Sequence, residues 1–143
     1  MTTKVLTRTD PLAHPAMAFL PYEPQSASAA RELVRGKLAD WRLEHLADDA
    51  KLLVTELVSN AAKTGCLTTM RVTVARVTNR AGRAVQIAVR DGSRALPVLI
   101  AAARDEDQSG RGLVLVDRLS VMWGVEVDAW GKTVWADLAV ERV

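Results

Sequence analysis

The sequence predicts a two-layer α/β sandwich, a mixed and mostly antiparallel sheet with helices packed on one face. Three observations predict it. Two stretches in the first half place apolar residues at helical spacing. Two pairs of later stretches alternate apolar and polar residues, the period of half-buried strands. The resulting order is strand, helix, helix, strand, strand, helix, strand, strand, which favours hairpins with helices gathered on one side.

Each element follows from its residues. Positions 1–15 are polar, carry Pro11 and Pro15, and read as a flexible arm, leaving one domain over 16–143. Ala16 to Leu20 is a short apolar run closed by Pro21, an edge strand. Ser26 or Ser28 caps a helix reaching about Trp41, with Ala30, Leu33, Val34, Leu38 and Trp41 on one face. A second helix starts at Leu46-Ala47-Asp48-Asp49, where acids suit the helix dipole, and ends near Gly65. Met70 to Thr78 and Ala84 to Arg90 alternate and form an antiparallel hairpin around Asn79–Arg83. Pro97 to Ala103 is a short helical or irregular segment. Gly110-Arg111-Gly112-Leu113 opens a third helix to about Leu119. Val121 to Val127 and Thr133 to Val140 are the last two strands. Trp123 and Trp135 fill the core or cover a sheet edge, and the sheet face away from the helices is solvated or covers a partner.

Bulk properties narrow the function. A chain of 143 residues with 49% apolar and 25% charged residues is an ordinary single domain. The net charge is +2 and there is no Lys/Arg run, so nothing points to nucleic acid. Cys66 is the only cysteine, which excludes an intrachain disulfide and a cysteine metal cage. No apolar run approaches the ~20 residues of a membrane span, and the first residues hold no secretory h-region. The expected location is cytoplasmic. His14 and His45 have no metal or triad spacing.

Three places can carry chemistry. Glu56 and Asn60 lie four apart on the second helix. Their stripe is about 60° from the line through Leu53 and Leu57. It either lines a cavity or forms a solvated helix edge. In a cavity, a carboxylate can draw a proton and an amide oxygen can hold a hard cation. Asp91 ends a strand where the chain turns through Gly92, so it is either a fixed hydrogen-bond acceptor or a turn former. Ser109-Gly110-Arg111-Gly112-Leu113 places two glycines before a helix. It is either a plain loop or an anion cradle, with Arg111 on phosphate or in solvent.

The combination is more specific than its parts. T-E-L-V-S-N-A at 55–61, V-R-D-G-S at 89–93, G-R-G-L-V-L-V-D at 110–117, W-G-V at 123–125 and G-K-T-V-W-A at 131–136 resemble the GHKL ATPase superfamily. Its members include the ATP-binding domains of sensor histidine kinases and type II topoisomerases. The resemblance runs over roughly 20–140. It is nearer to stand-alone anti-sigma-factor serine/threonine kinases of the RsbW and SpoIIAB type. It is nearer still to small ATP-binding regulatory proteins of Streptomyces and other actinobacteria.

The resemblance implies a Bergerat, or histidine-kinase-like, fold that binds ATP and Mg²⁺. Asn60 would hold the metal, and Glu56 would be the general base. Asp91 and Gly92 would take the adenine, with Asp91 on its amine. Gly110, Arg111, Gly112 and Leu113 would wrap the phosphates beneath a lid from about Leu96 to Ser109. Two positions depart from the pattern. Asp91-Gly92-Ser93-Arg94-Ala95 lacks the glycines of Asp-x-Gly-x-Gly, and Lys63-Thr64-Gly65 lacks the histidine common after the Asn helix. The implied partners are a sigma factor and a small antagonist protein carrying the target serine or threonine, with a possible homodimer. The competing reading is an ATP-binding module without turnover that sequesters a transcription factor.

Overall fold

The computed structural model describes residues 8–10, 14–23, 25–64, 69–92, 108–129 and 131–141. In order, the elements are β1 (Arg8–Thr9), β2 (Ala16–Pro21), α1 (Gln25–Asp40), a 3₁₀ turn (Glu44–Leu46) and α2 (Ala47–Thr64). Then come β3 (Thr69–Asn79), β4 (Gly82–Asp91), α3 (Gln108–Leu119), β5 (Met122–Asp128) and β6 (Gly131–Ala139). The expected order is found, with β1 in addition. The expected Pro97–Ala103 segment, the helix stop at Gly65 and the lid before Gln108 lie outside the described residues.

The strands form one sheet in the order β1–β3–β4–β6–β5, and β2 shares the β3 edge with β1. Every pairing among the described strands is antiparallel, so the mixed character in the expected class is not found among them. Arg8 and Thr9, expected in the arm, pair with Thr78 and Val77. They are polar and only two, so no periodicity announces them.

Strand alternation decides which face meets the helices. Val72 and Val74 of β3, Val85, Ile87 and Val89 of β4, and Val134, Ala136 and Leu138 of β6 all lie in one buried cluster. The same cluster holds Ala30, Val34 and Leu38 of α1, Leu53, Val54, Leu57, Val58 and Ala61 of α2, and Val116 of α3. The three helices therefore cover one face, as the stripes on α1 and α2 require. α2 is central and packs against α1, α3 and β4.

Two ends show how tertiary contact sets local structure. α1 closes with Arg42 in the left-handed region at φ 58°. Leu43 N–H donates to the Leu38 carbonyl at 2.8 Å and Arg42 N–H to Ala39 at 3.1 Å. That is a Schellman closure without glycine, held by the buried Leu38 and Leu43. The β3–β4 hairpin turns through Arg80 and Ala81, with Gly82 at φ 119°, where an L side chain is strained.

The open face is not uniformly solvated. Asp137 is fully buried there. Asn79 Nδ2 donates to its Oδ2 at 2.7 Å and Gln86 Nε2 to its Oδ1 at 2.9 Å. Trp135 lies on the same face at 5% exposure, while Trp123 packs on the helix side and donates its Nε1–H to Asp117 at 2.8 Å.

Burial pushes the Asp137 carboxyl above its ordinary value of 3.8, outweighing the two amide bonds that favour the anion. The folded chain thus holds a proton where the unfolded chain has released it. Its stability contribution is fully present below the unfolded value and is lost as pH rises through the folded one. Urea unfolding from about pH 4 upward should show this loss in the parent, relative to Asp137→Asn. Parallel pH curves for the two proteins would refute the assignment.

Candidate functional site

Asp91 is the last residue of β4 and continues the parity of Val85, Ile87 and Val89, so its side chain points to the helix face. It is 3% exposed. Its register partner on β6 is Lys132, which shares the parity of Val134, Ala136 and Leu138. Lys132 Nζ donates to Asp91 Oδ1 at 3.0 Å and lies 3.0 Å from Oδ2. The lysine is 0% exposed and is the largest fully buried side chain among the described residues.

Gly131 makes this pairing possible. A Cβ at that position would overlap the Asp91 carbonyl oxygen and come within 3.0 Å of Gly92 Cα. Only glycine lets β6 start this close to the end of β4. Gly131→Ala should therefore displace the strand start and cost about 1–3 kcal/mol, read as a lower urea midpoint. An unchanged midpoint would mean that the end of β4 yields freely. Gly92 N–H donates to Tyr22 Oη at 3.3 Å, which ties the strand end to the segment after β2. Asp91 and Gly92 border a cavity of about 230 Å³ that Met70, Phe19 and Arg90 also line.

Asn60 and Glu56 come from α2. The apolar stripe of that helix anchors it on the sheet and leaves Glu56 partly exposed and Asn60 only 6% exposed. Chain connectivity places them relative to Asp91. β3 begins beside the end of β4, since Arg71 pairs with Arg90. Only residues 65–68 separate α2 from β3, a link that reaches at most about 18 Å. The last turns of α2 therefore lie at the Asp91 end of the sheet.

The third predicted piece lies in α3. α3 leads through Ser120 and Val121 into β5, whose first residue pairs with Asp137, toward the opposite end of β6. α3 packs on α2 and is about 18 Å long. Gly110 and Gly112 sit inside its first turns, because the helix starts at Gln108 rather than after the glycines. The first N–H groups of a helix have no partner within it, and that of Gly110 is among them. The side chains of Arg111 and Leu113 lie outside the described residues, as do Ser93 to Ala95.

The fold agrees with comparison to known families. The description "Histidine kinase-like ATPase domain" fits residues 20–138, most of the chain. The chain belongs to this family. No curated protein matches it closely enough to serve as a relative. The matched span of the ATPase domain runs from the end of β2 into β6, so it takes in all three helices and both hairpins, and it leaves out β1. Among the described residues no helix is long and apolar enough to cross a membrane.

Two residues of the ATPase domain escaped the sequence reading. In the sequence, Lys132 and Gly131 stand only as letters of the G-K-T-V-W-A phrase. The parity of β6 could have found the lysine, because it falls on the same side as Val134, Ala136 and Leu138. Gly131 carries no such signal, since its role depends on the neighbouring strand.

Proposed function

We propose that this ATPase domain binds Mg-ATP at the Asp91 end and works as a serine/threonine protein kinase. In this reading it is an anti-sigma factor that phosphorylates a small antagonist protein. The observation that carries the nucleotide site is the buried Asp91 carboxylate on the helix face, at the sheet end to which α2 brings Asn60. The resemblance described above supports the regulatory role.

The donor set suits a metal that arrives with its nucleotide. Asn60 offers one amide oxygen, and among the described residues no three His, Cys, Asp or Glu side chains form a cluster. Magnesium keeps several waters and is held mainly by substrate phosphates, so a single protein oxygen fits. The ion would neutralise phosphate charge. Asp91 accepts from the base amine, and the N–H groups at the start of α3 face the phosphates. Glu56 takes the proton of a serine or threonine hydroxyl. That oxygen then bonds to the γ-phosphorus as the bond to the β,γ-bridging oxygen breaks and ADP departs. The further partners in this reading are a sigma factor and a second copy of the chain.

Thermal unfolding with and without Mg-ATP tests the nucleotide site. At about 100-fold over Kd, a ligand of the folded state adds about 2.7 kcal/mol. The melting temperature should rise by roughly 8–11 °C. No rise at millimolar Mg-ATP would sink the reading.

A further inference from the structure

The sheet face away from the helices carries a row of unusual composition. Phe19 pairs with Arg71, and Arg71 with Arg90. Arg90 pairs with Thr133, and Thr133 with Glu126, so the row crosses five strands. Partners in register send their side chains to one face. Arg90 precedes Asp91, whose side chain takes the other face. Phe19, Arg71 and Arg90 line the cavity of about 230 Å³ at this end of the sheet, together with Thr69.

Two features of the row work against the isolated fold. Like charges directly opposite on neighbouring strands repel, and Arg71 and Arg90 are such a pair. Asp128 relieves only Arg90, accepting from its Nη2 at 3.0 Å and from its Nη1. Arg71 is exposed, and among the described residues no carboxylate bonds to it. The second feature is bare apolar surface beside the cations. Phe19 is 64% exposed, and Met17, two residues earlier on the same face, is 55% exposed. Arginine, phenylalanine and methionine are the side chains enriched where proteins meet.

The same face narrows the choice of occupant. A carboxylate set between the two guanidinium groups offsets their repulsion and accepts a forked pair of hydrogen bonds. A polyanion such as nucleic acid would also meet Glu126 and Asp128 farther along the row. A single acid next to an apolar group fits both the cations and the exposed Phe19.

We propose that Met17, Phe19, Arg71 and Arg90 form a docking surface for a partner protein. The partner lays an acidic side chain on the arginine pair and a neighbouring apolar side chain on Phe19 and Met17. This surface lies across the sheet from the Asp91 carboxylate and needs no nucleotide.

Amide NMR spectra of the full chain test it, in titrations with three blocked pentapeptides that alternate leucine with glutamate, glutamine or lysine. At millimolar concentration the glutamate peptide should shift the amides of β2 and of the paired ends of β3 and β4. It should bind roughly fivefold or more tightly than the glutamine peptide. Arg71→Gln should erase that advantage, whereas Phe19→Ser should weaken both peptides. Arg71→Gln should also keep or raise the urea midpoint, because it removes a like-charge contact. Absence of those shifts in the unaltered protein overturns the proposal, as does equal binding of the glutamate and glutamine or lysine peptides. A lowered midpoint in Arg71→Gln also overturns it, since the arginine then serves the fold. Tighter binding of a short oligodeoxynucleotide at the same amides would make the surface a polyanion site and overturn it too.

Discussion

Replacing Asp91 with alanine is expected to lower the melting temperature by roughly 10 °C or more before any nucleotide is added. The reason lies in its partner. Lys132 is 0% exposed, with its ammonium 3.0 Å from both carboxylate oxygens. Removing one member of a buried pair leaves the other charge stranded and costs about 3–5 kcal/mol. In a domain of this size each kcal/mol moves the midpoint by roughly 3–4 °C. Replacing both members is a different experiment. Asp91→Leu with Lys132→Met removes the charges together and should recover most of the loss. Urea unfolding of the parent, the two singles and the double gives the coupling directly. Losses that simply add would show that the pair is not coupled. The result bears on function too. A loss of nucleotide binding in Asp91→Ala has no clean meaning until the fold of that variant has been measured.

The same pair marks how far the sequence could be read. Alternation placed β3, β4, β5 and β6 correctly, because sheet burial on one face writes a period of two into the chain. The α2 stripe from Ala50 to Ala61 was legible for the matching reason at helical period. Parity also puts Asp91 and Lys132 on the apolar face, yet only Asp91 stands at a motif position, before the Gly92 turn. Other features had no local signal. Asp137 falls on the open face by alternation, so solvent was the natural expectation. Its burial comes from Asn79 and Gln86, brought by other strands. Arg42 sits where a glycine would announce a helix end, and the Leu38 and Leu43 contact supplies what glycine would have supplied. The start of α3 was misplaced for the opposite reason. Gly110 and Gly112 look like a loop by propensity, but the helix runs through them. Of the candidate site, the strand-end carboxylate and the two helix residues were readable. Their convergence at one end of the sheet follows from the topology.

On the kinase reading proposed above, Glu56→Ala is expected to slow phosphoryl transfer to a protein hydroxyl by about 10²–10⁴-fold, the usual worth of a positioned general base. Its effect on stability should be slight. Glu56 is partly exposed, and no bond between its carboxylate and another described residue anchors the helix. The anchoring comes instead from Leu53, Leu57 and Val58, each buried against the sheet. A substitution away from such features falls within about ±0.5 kcal/mol. Rigid α2 packing is also what makes the prediction sharp, because a base must lie within hydrogen-bond reach of its proton. Asp91, Lys132 and the α3 N-terminus are untouched by the change, so the Mg-ATP shift in melting temperature should survive. Retained binding with lost transfer would assign Glu56 the chemistry. Loss of both would place it in binding. Retention of both would give the base role to another group, whereas no transfer even by the parent, with regulation of the transcription partner intact in Glu56→Ala, would favour sequestration by an ATP-binding module over a kinase.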